Sequence, residues 1–255
     1  MNKGNKILLG ALTFVVVCVV GYALFSESIT ITGSVTTSGD WQIKTTCTEG
    51  ASTEAMNAWQ QYLDVKSIIK EGGYKNSSCN VIGNKVTMNA ELQYPTALRA
   101  FTIRYKNAGS IDAFIRQDGN TPVNNKSIIV YNPDNSVYKE ISSGASEFNY
   151  YLNQFGKFRN DVLAVIKTAS GTFLTEADWQ DRIYEKTDKT LEYEYYLKLE
   201  PGDTLEIVSW VIWNKDATLN DGKSAKTTAE TIGIIEQNSS NMQLAPDGYT
   251  CFSGC

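Results

Sequence analysis

The 255-residue sequence contains no histidine. Ser–His–Asp and Cys–His catalysis near neutral pH requires an imidazole, and an HExxH zinc site requires two. The sequence also lacks a Gly-x-Ser-x-Gly motif and a cluster of closely spaced metal ligands. These absences exclude the hydrolases that depend on histidine. They predict that the protein is not an enzyme, has no catalytic residues and uses neither a cofactor nor a metal.

Carboxylates are the catalytic groups that a sequence without histidine still offers. Four glutamates flank one predicted turn, and paired carboxylates perform glycoside hydrolysis; they are Glu192, Glu194, Glu200 and Glu206. A solvated strand face explains the same pattern. Three loops offer oxygen ligands for Ca²⁺ without EF-hand spacing, at 118–120, 134–135 and 220–222, and we interpret them as turns. The aromatic segments 193–196 and 210–213 indicate either core packing or a sugar-binding platform.

Excess positive charge is also missing, since the formal net charge is −5. An acidic surface repels phosphate backbones, so nucleic acid is not an expected partner.

The first 23 residues are typical of an export signal. Lys3 and Lys6 precede the apolar run Ile7–Phe25, and the small residues Gly21 and Ala23 lie near the end of that run. We predict cleavage after Ala23, so that the protein touches a membrane only during export and is then secreted. The alternative is an uncleaved anchor, because the apolar run approaches the roughly 20 residues that span a bilayer.

Export changes the interpretation of the five cysteines, because Cys18 leaves with the signal. An even number of cysteines in an exported chain favours disulfides. Three pairings are possible, and we favour Cys47–Cys79 with Cys251–Cys255, because each pair closes a local loop. A four-cysteine metal site is the alternative, but only the second pair has the close spacing of zinc ligands.

A strictly alternating segment follows the predicted signal, within residues 24–38. One side of the strand carries Ile29, Ile31, Gly33 and Val35, and the other side carries threonine and serine. Period-two alternation predicts an extended strand that buries one face. A terminal strand of this kind suits addition to the sheet of a neighbouring molecule, although folding back into its own sheet is the alternative.

The remaining chain, 39–255, predicts one mainly β domain, an antiparallel jelly-roll-like β-sandwich with inserted helices. Alternation predicts strands at 86–93, 101–105, 111–115, 128–131, 137–141, 191–199, 205–213 and 231–235. Hairpins are predicted around Asn107–Ser110 and Pro201–Asp203. The strand at 205–213 is apolar on both faces over its second half, which predicts a central position.

Two helical insertions are predicted near 52–70 and 146–167. Ser52 or Thr53 caps the first, Glu54 lies in its first turn, and a glycine pair at 72–73 ends it. The second has apolar residues near helical spacing, with Gly156 in its middle.

Three segments together resemble the TasA/camelysin family of exported β-sandwich proteins. They are Gly21–Ser26 at the signal boundary, Phe101–Ala113 with its Asn-x-Gly-Ser turn, and Leu199–Ile207 with its Pro-Gly-Asp turn. The resemblance implies a subunit of a biofilm-matrix or pilus-like filament whose N-terminal segment completes a sheet of the next copy. Carried onto this chain, Ile29, Ile31 and Val35 fill the acceptor groove, and Gly33 lies where the acceptor leaves little room.

The predicted partners are therefore copies of the chain itself, joined head to tail into an open filament by donor-strand complementation. The alternative function is a monomeric cell-surface adhesin or binding domain held by an uncleaved N-terminal anchor.

Overall fold

The computed structural model describes residues 42–59, 71–118, 124–159, 164–175, 178–186, 194–218, 221–232, 235–236 and 249–251. The predicted export signal and donor segment, 1–38, lie outside these residues. The described elements all belong to one compact unit, Asp40–Cys255.

The described residues form sixteen strands and two helices. The strands are β1 Ile43–Glu49, β2 Tyr74–Ile82, β3 Lys85–Leu92, β4 Leu98–Asn107, β5 Ala113–Asp118, β6 Asn124–Tyr131, β7 Val137–Ser142, β8 Lys157–Arg159, β9 Ala164–Lys167, β10 Phe173–Leu174, β11 Ile183–Lys186, β12 Glu194–Leu199, β13 Thr204–Ile212, β14 Ser224–Ile232, β15 Ile235–Glu236 and β16 Tyr249–Cys251. The helices are α1 Thr53–Trp59 and α2 Phe148–Phe155.

The strands form three sheets. Sheet A has the order β1-β4-β13-β9-β10, and β8 also pairs with β13. Sheet B has the order β2-β3-β14-β6-β7, and sheet C has the order β15-β5-β12-β11-β16. Every strand pair described is antiparallel.

One hydrophobic cluster joins the three sheets. It contains side chains from sheet A, such as Phe101 and Leu205, together with Met88 and Ile128 from sheet B and Leu197 from sheet C. From Lys85 to Ala90 in β3 the buried residues alternate with exposed or half-buried ones, as the period-two pattern predicts, whereas Glu91 and Leu92 are both buried. Burial of these apolar side chains is the main favourable contribution to folding.

Sheet A also has an apolar second face. Leu98, Ala100, Val165 and Val208 form a smaller buried cluster on it, and Ala55 of α1 packs there. This covering explains why β13 is apolar on both faces, and it confirms the predicted central position of β13, between β4 and β9.

The predicted fold class is confirmed as mainly β, in an antiparallel β-sandwich with inserted helices. The chain passes repeatedly between sheets, from β4 in sheet A to β5 in sheet C and then to β6 in sheet B. It later passes from β12 in sheet C through β13 in sheet A to β14 in sheet B. Such switching between layers is the jelly-roll type of connection.

Both predicted hairpins are wrong. The strands flanking Asn107–Ser110 are β4 and β5, and those flanking Pro201–Asp203 are β12 and β13; in each case they lie in different sheets. The two connections instead run side by side, because β4 pairs with β13 and β5 with β12. The turns also bond each other, with Asn107 N donating to Asp203 O and Gly202 N to Asn107 O, both at 2.9 Å. A short turn between alternating strands has the same sequence pattern whether the chain returns to its own sheet or crosses to the facing one.

The predicted helix at 146–167 is correct only over its first half. α2 ends before Gly156, which has a φ of 120°, and the chain continues as β8 and β9 along β13. A Cβ on Gly156 would lie 2.8 Å from the carbonyl oxygen of Ile212, so only glycine permits this approach to the β13 backbone. The predicted strand at 231–235 also differs, because β14 begins at Ser224 and ends at Ile232.

The first predicted helix is confirmed at its start. Ala55 N donates to Ser52 Oγ at 3.1 Å, which makes Ser52 the N-cap, and Glu54 lies in the first turn. Residues 60–70 of that prediction lie outside the described part.

Candidate functional site

Gln42 is the first residue that the structure describes after the predicted donor segment. Ala108 N donates to Gln42 O at 2.8 Å, and Ile43 lies opposite Asn107 in the β1–β4 ladder. The entry point is therefore at the end of the sandwich that carries the two crossing turns. The four predicted donor residues, Ile29, Ile31, Gly33 and Val35, lie outside the described residues, so their role stays a prediction.

A buried ion pair holds the two crossing turns at this end. Asp203 Oδ2 accepts from Arg182 Nη1 at 3.1 Å and from Glu200 N at 3.1 Å, and Asp203 Oδ1 accepts from Ala169 N at 3.0 Å. Half-burial raises the pKa of the nearby Asp112, and the positive charge of Lys198 opposes that rise. With its acceptors satisfied, the Asp203 carboxylate stabilises the turn from β12 into β13.

The edges of sheets A and B are joined covalently by the predicted disulfide. Cys47 of β1 and Cys79 of β2 are bonded, with their Cα atoms 5.9 Å apart. Cys251 lies in β16, opposite Tyr184, whereas Cys255 is outside the described residues. The Cys251–Cys255 pairing therefore stays a prediction.

Arg99 of β4 is the centre of a polar cluster beside the disulfide. Its side chain is only 8% exposed, its Nη1 donates to Glu71 Oε1 at 3.0 Å, and its Nε donates to Ser77 Oγ at 3.0 Å. It also pairs with Glu49 of β1, and its guanidinium lies 4.2 Å from the ring centroid of Tyr74. We call the disulfide and this cluster the locked corner, defined by Cys47, Glu49, Ser77, Cys79 and Arg99.

Electrostatics in the locked corner stabilise the ionised form of Glu49. The hydroxyl of Ser77 donates to its carboxylate and lowers its pKa, and Arg99 lowers it further, while burial acts in the opposite direction. Sequence reasoning missed Arg99. The available signal was an arginine within an apolar strand, because a buried guanidinium requires paired carboxylates.

The opposite edge of sheet B has no such closure. β7 pairs only with β6 among the described strands, and Val137 and Tyr138 on it are 56% and 47% exposed. Its Lys139 makes a 2.6 Å surface ion pair with Glu147. We call Val137–Ser142 the open edge. Its unpaired backbone groups are able to hydrogen-bond a further strand.

The carboxylates and loops considered as alternative catalytic and calcium sites do not assemble into one in the part of the chain that the structure describes. Glu200 pairs with Arg182, Glu206 pairs with Arg104, and Asp134 Oδ1 accepts from the backbone N–H of Ser136 within its turn. No three potential metal ligands come together among those residues. The other predicted acidic positions, Glu192, Glu194, 118–120 and 220–222, are described only in part or not at all.

Core packing explains the described aromatic residues of the segments 193–196 and 210–213, for which a sugar-binding platform was the alternative. Trp213 is fully buried, with its ring centroid 4.9 Å from that of Phe155, and Tyr196 is also buried. Trp210 is half-buried against the second face of sheet A. These side chains do not form an exposed platform for a sugar ring.

Over the described residues, the structure contains no helix with the length and apolar character needed to span a bilayer.

Comparisons with known proteins give little further information. No protein-family model and no curated protein matches the chain. A solved structure with some similarity is the CBM3a-L domain with flanking linkers from scaffoldin cipA of the cellulosome of Clostridium thermocellum. It is 13% identical, with a TM-score of 0.22, over 67% of this chain and 99% of that one. This similarity is too weak to support a functional argument.

Proposed function

We propose that this protein is a secreted structural subunit that polymerises by adding its N-terminal segment, as a strand, to a neighbouring copy. The observation that carries the proposal is the one-sided apolar alternation of Ile29, Ile31 and Val35 directly ahead of β1. Burial of three such side chains contributes roughly 5–9 kcal/mol before ordering costs. The contact is head to tail and does not close on itself, so it generates a filament.

The disulfide supports an extracellular location, because such bonds persist in oxidising compartments. It also suits a subunit that is pulled through its N-terminal segment. Tension on that segment enters the fold at Ile43 and acts along β1, which is paired with β4 over seven residues. The Cys47–Cys79 bond then passes the tension to sheet B.

The open edge is the acceptor that we propose for the added strand. The other sheet edges are less suitable acceptors. The edges of β1 and β2 face each other across the locked corner, and the edge strands β10, β15 and β16 have only two or three residues each. β7 has six residues, and Val137 and Tyr138 on it offer exposed apolar surface for isoleucine and valine side chains. Main-chain hydrogen bonds along β7 would provide affinity, and the buried side chains would set the register.

Electron microscopy of two chains tests the proposal, one beginning at Leu24 and one at Gly39. We expect filaments from the longer chain only. Within it, the pair Ile29→Asp and Ile31→Asp should abolish filaments, because two charges would enter an apolar groove. The matched pair Thr30→Asp and Thr32→Asp places the same charges on the opposite face and should leave filaments intact.

Filaments from the Gly39 chain, or from the Ile29→Asp, Ile31→Asp variant, would contradict strand donation. Monomers from every form would favour the cell-surface binding domain instead. A synthetic peptide of residues 25–38, added to the Gly39 chain, tests the acceptor separately. We expect slower hydrogen–deuterium exchange at the amides of β7, and unchanged rates there would eliminate β7 as the acceptor edge.

A further inference from the structure

A cleft of about 450 Å³ lies where the end of α2 meets the end of β13. Asn153, Lys157 and Lys215 line it, together with Thr96, which precedes β4. The volume is within the usual range for small-molecule sites, roughly 300–1,000 Å³. None of the functions considered so far uses this cleft.

The charge in the cleft is opposite to that of the whole chain. The protein has a formal net charge of −5, yet the described lining residues include two lysines and no acid. Lys157 and Lys215 are both exposed, and neither has an ion-pair partner among the described residues. Several lysines elsewhere are paired with glutamate, for example Lys75, Lys85 and Lys139. The two unpaired ammonium groups therefore favour an anionic ligand.

Neutral hydrogen-bonding groups stand beside the two lysines. Asn153 is exposed, and its main-chain carbonyl accepts from Asn214 Nδ2 at 3.0 Å. Thr96 is exposed and has a φ of 71°. A β-branched residue rarely adopts positive φ, and backbone strain of this kind concentrates at functional sites.

The floor of the cleft is rigid. Gly156 and Trp213 line it, and Gly156 packs so closely on the β13 backbone that a larger residue does not fit. Trp213 is fully buried, and its indole N–H has no hydrogen-bond partner in the described part of the protein.

We propose that this cleft binds a carboxylate-bearing saccharide, of the uronate class. The ammonium groups of Lys157 and Lys215 would hold the carboxylate, and the Asn153 amide and the Thr96 hydroxyl would bond ring hydroxyls. Charge-assisted hydrogen bonds provide most of the affinity in such a site, and the neutral groups distinguish a sugar from a simple anion. The site does not depend on strand donation, so its test is independent of filament formation.

Isothermal titration calorimetry of the mature chain, from Leu24, with trigalacturonate tests the proposal. We expect binding to the wild-type chain, and at least tenfold weaker binding of the fully methyl-esterified trisaccharide, which keeps the shape but lacks the charge. The double variant Lys157→Ala, Lys215→Ala should also bind trigalacturonate at least tenfold more weakly.

Lys44→Ala with Lys106→Ala is the matched control. These lysines are also exposed and unpaired among the described residues, but they lie opposite each other beside Thr204, at the other end of β13. The control should bind within twofold of the wild-type chain. Absence of wild-type binding, equal binding of the methyl ester, or wild-type affinity in the Lys157, Lys215 variant would each overturn the proposal. Equally tight, lysine-dependent binding of a triglutamate peptide would overturn the saccharide assignment.

Discussion

At one side of the sandwich, β1 and β2 are joined by a disulfide and by a buried arginine with its carboxylates; at the other side, β7 is held by its pairing with β6 and by a surface ion pair. Both sides are edges of antiparallel sheets, and an edge strand with free backbone groups is a site for pairing with another chain. The locked corner removes that possibility on one side, whereas the open edge retains it.

The cross-linked edge and the edge that is able to pair with another strand therefore lie at separate positions in the fold. The locked corner includes β1, the first described strand after the proposed donor segment. The open edge carries Val137 and Tyr138, whose side chains are 56% and 47% exposed. This difference predicts three effects on stability, of which the largest is expected at the disulfide and the smallest at Glu49.

Loss of the disulfide should have the largest effect. Cys47→Ala with Cys79→Ala releases a cross-link between residues 32 positions apart, which increases the entropy of the unfolded chain. We expect the free energy of unfolding to fall by about 3–4 kcal/mol, as measured by urea denaturation. Reduction of the wild-type protein should give a similar loss. A loss below about 1 kcal/mol would mean that the corner is held by its other contacts.

Arg99→Met should have the next largest effect. It leaves the Glu71 carboxylate without its cation in a partly buried place, and we expect a loss of about 2–3 kcal/mol in urea denaturation. Lys139→Met on the open edge is the matched control. It removes one partner of an ion pair that is exposed on both sides, and no measurable change is expected. Equal losses of unfolding free energy in Arg99→Met and Lys139→Met would contradict the difference in stability between the locked corner and the open edge.

The pH dependence of stability should show the smallest effect. The pKa of Glu49 in the folded protein lies below its ordinary value of 4.5, so the unfolded chain binds more protons between those two values. Stability from this group is therefore present above about pH 4.5 and is lost as the pH falls through the folded pKa. Glu49→Gln should make the decline of the unfolding free energy below pH 5 shallower. An unchanged slope would show that Ser77 and Arg99 do not stabilise the ionised form.

The strands with clear alternation, the sandwich and one disulfide could be predicted from local patterns, whereas β1, β2, β8 and β9 were not predicted. Alternation in β3 reports burial because side chains on a strand point to opposite faces. Cys47 and Cys79 could be paired because an even cysteine count in a chain predicted to be exported favours disulfides, and because this pair closes a local loop. The C-terminal end of α2 shows the limit of local patterns. The helical spacing of apolar residues continues past Gly156 in the sequence, whereas the backbone changes there from helix to strand.

The polar sites were harder to predict. Arg99 lies among Leu98, Ala100 and Phe101, and nothing nearby in the sequence shows that Glu49 and Glu71 will reach it. Lys157, Lys215 and Thr96 come from three separate segments. The pairing of β8 with β13 and the hydrogen bond from Thr96 N to Trp213 O bring them to one cleft.

The sequence by itself determined the mainly β class, most of the strands with strict alternation, and that catalysis by histidine is impossible. Tertiary structure alone decided which strands share a sheet, so that both apparent hairpins cross between layers. The reason is that alternation records only the inside and outside of a strand, whereas partner choice depends on the packing of residues far apart in the chain. That same packing decided which edge was locked and which was left open.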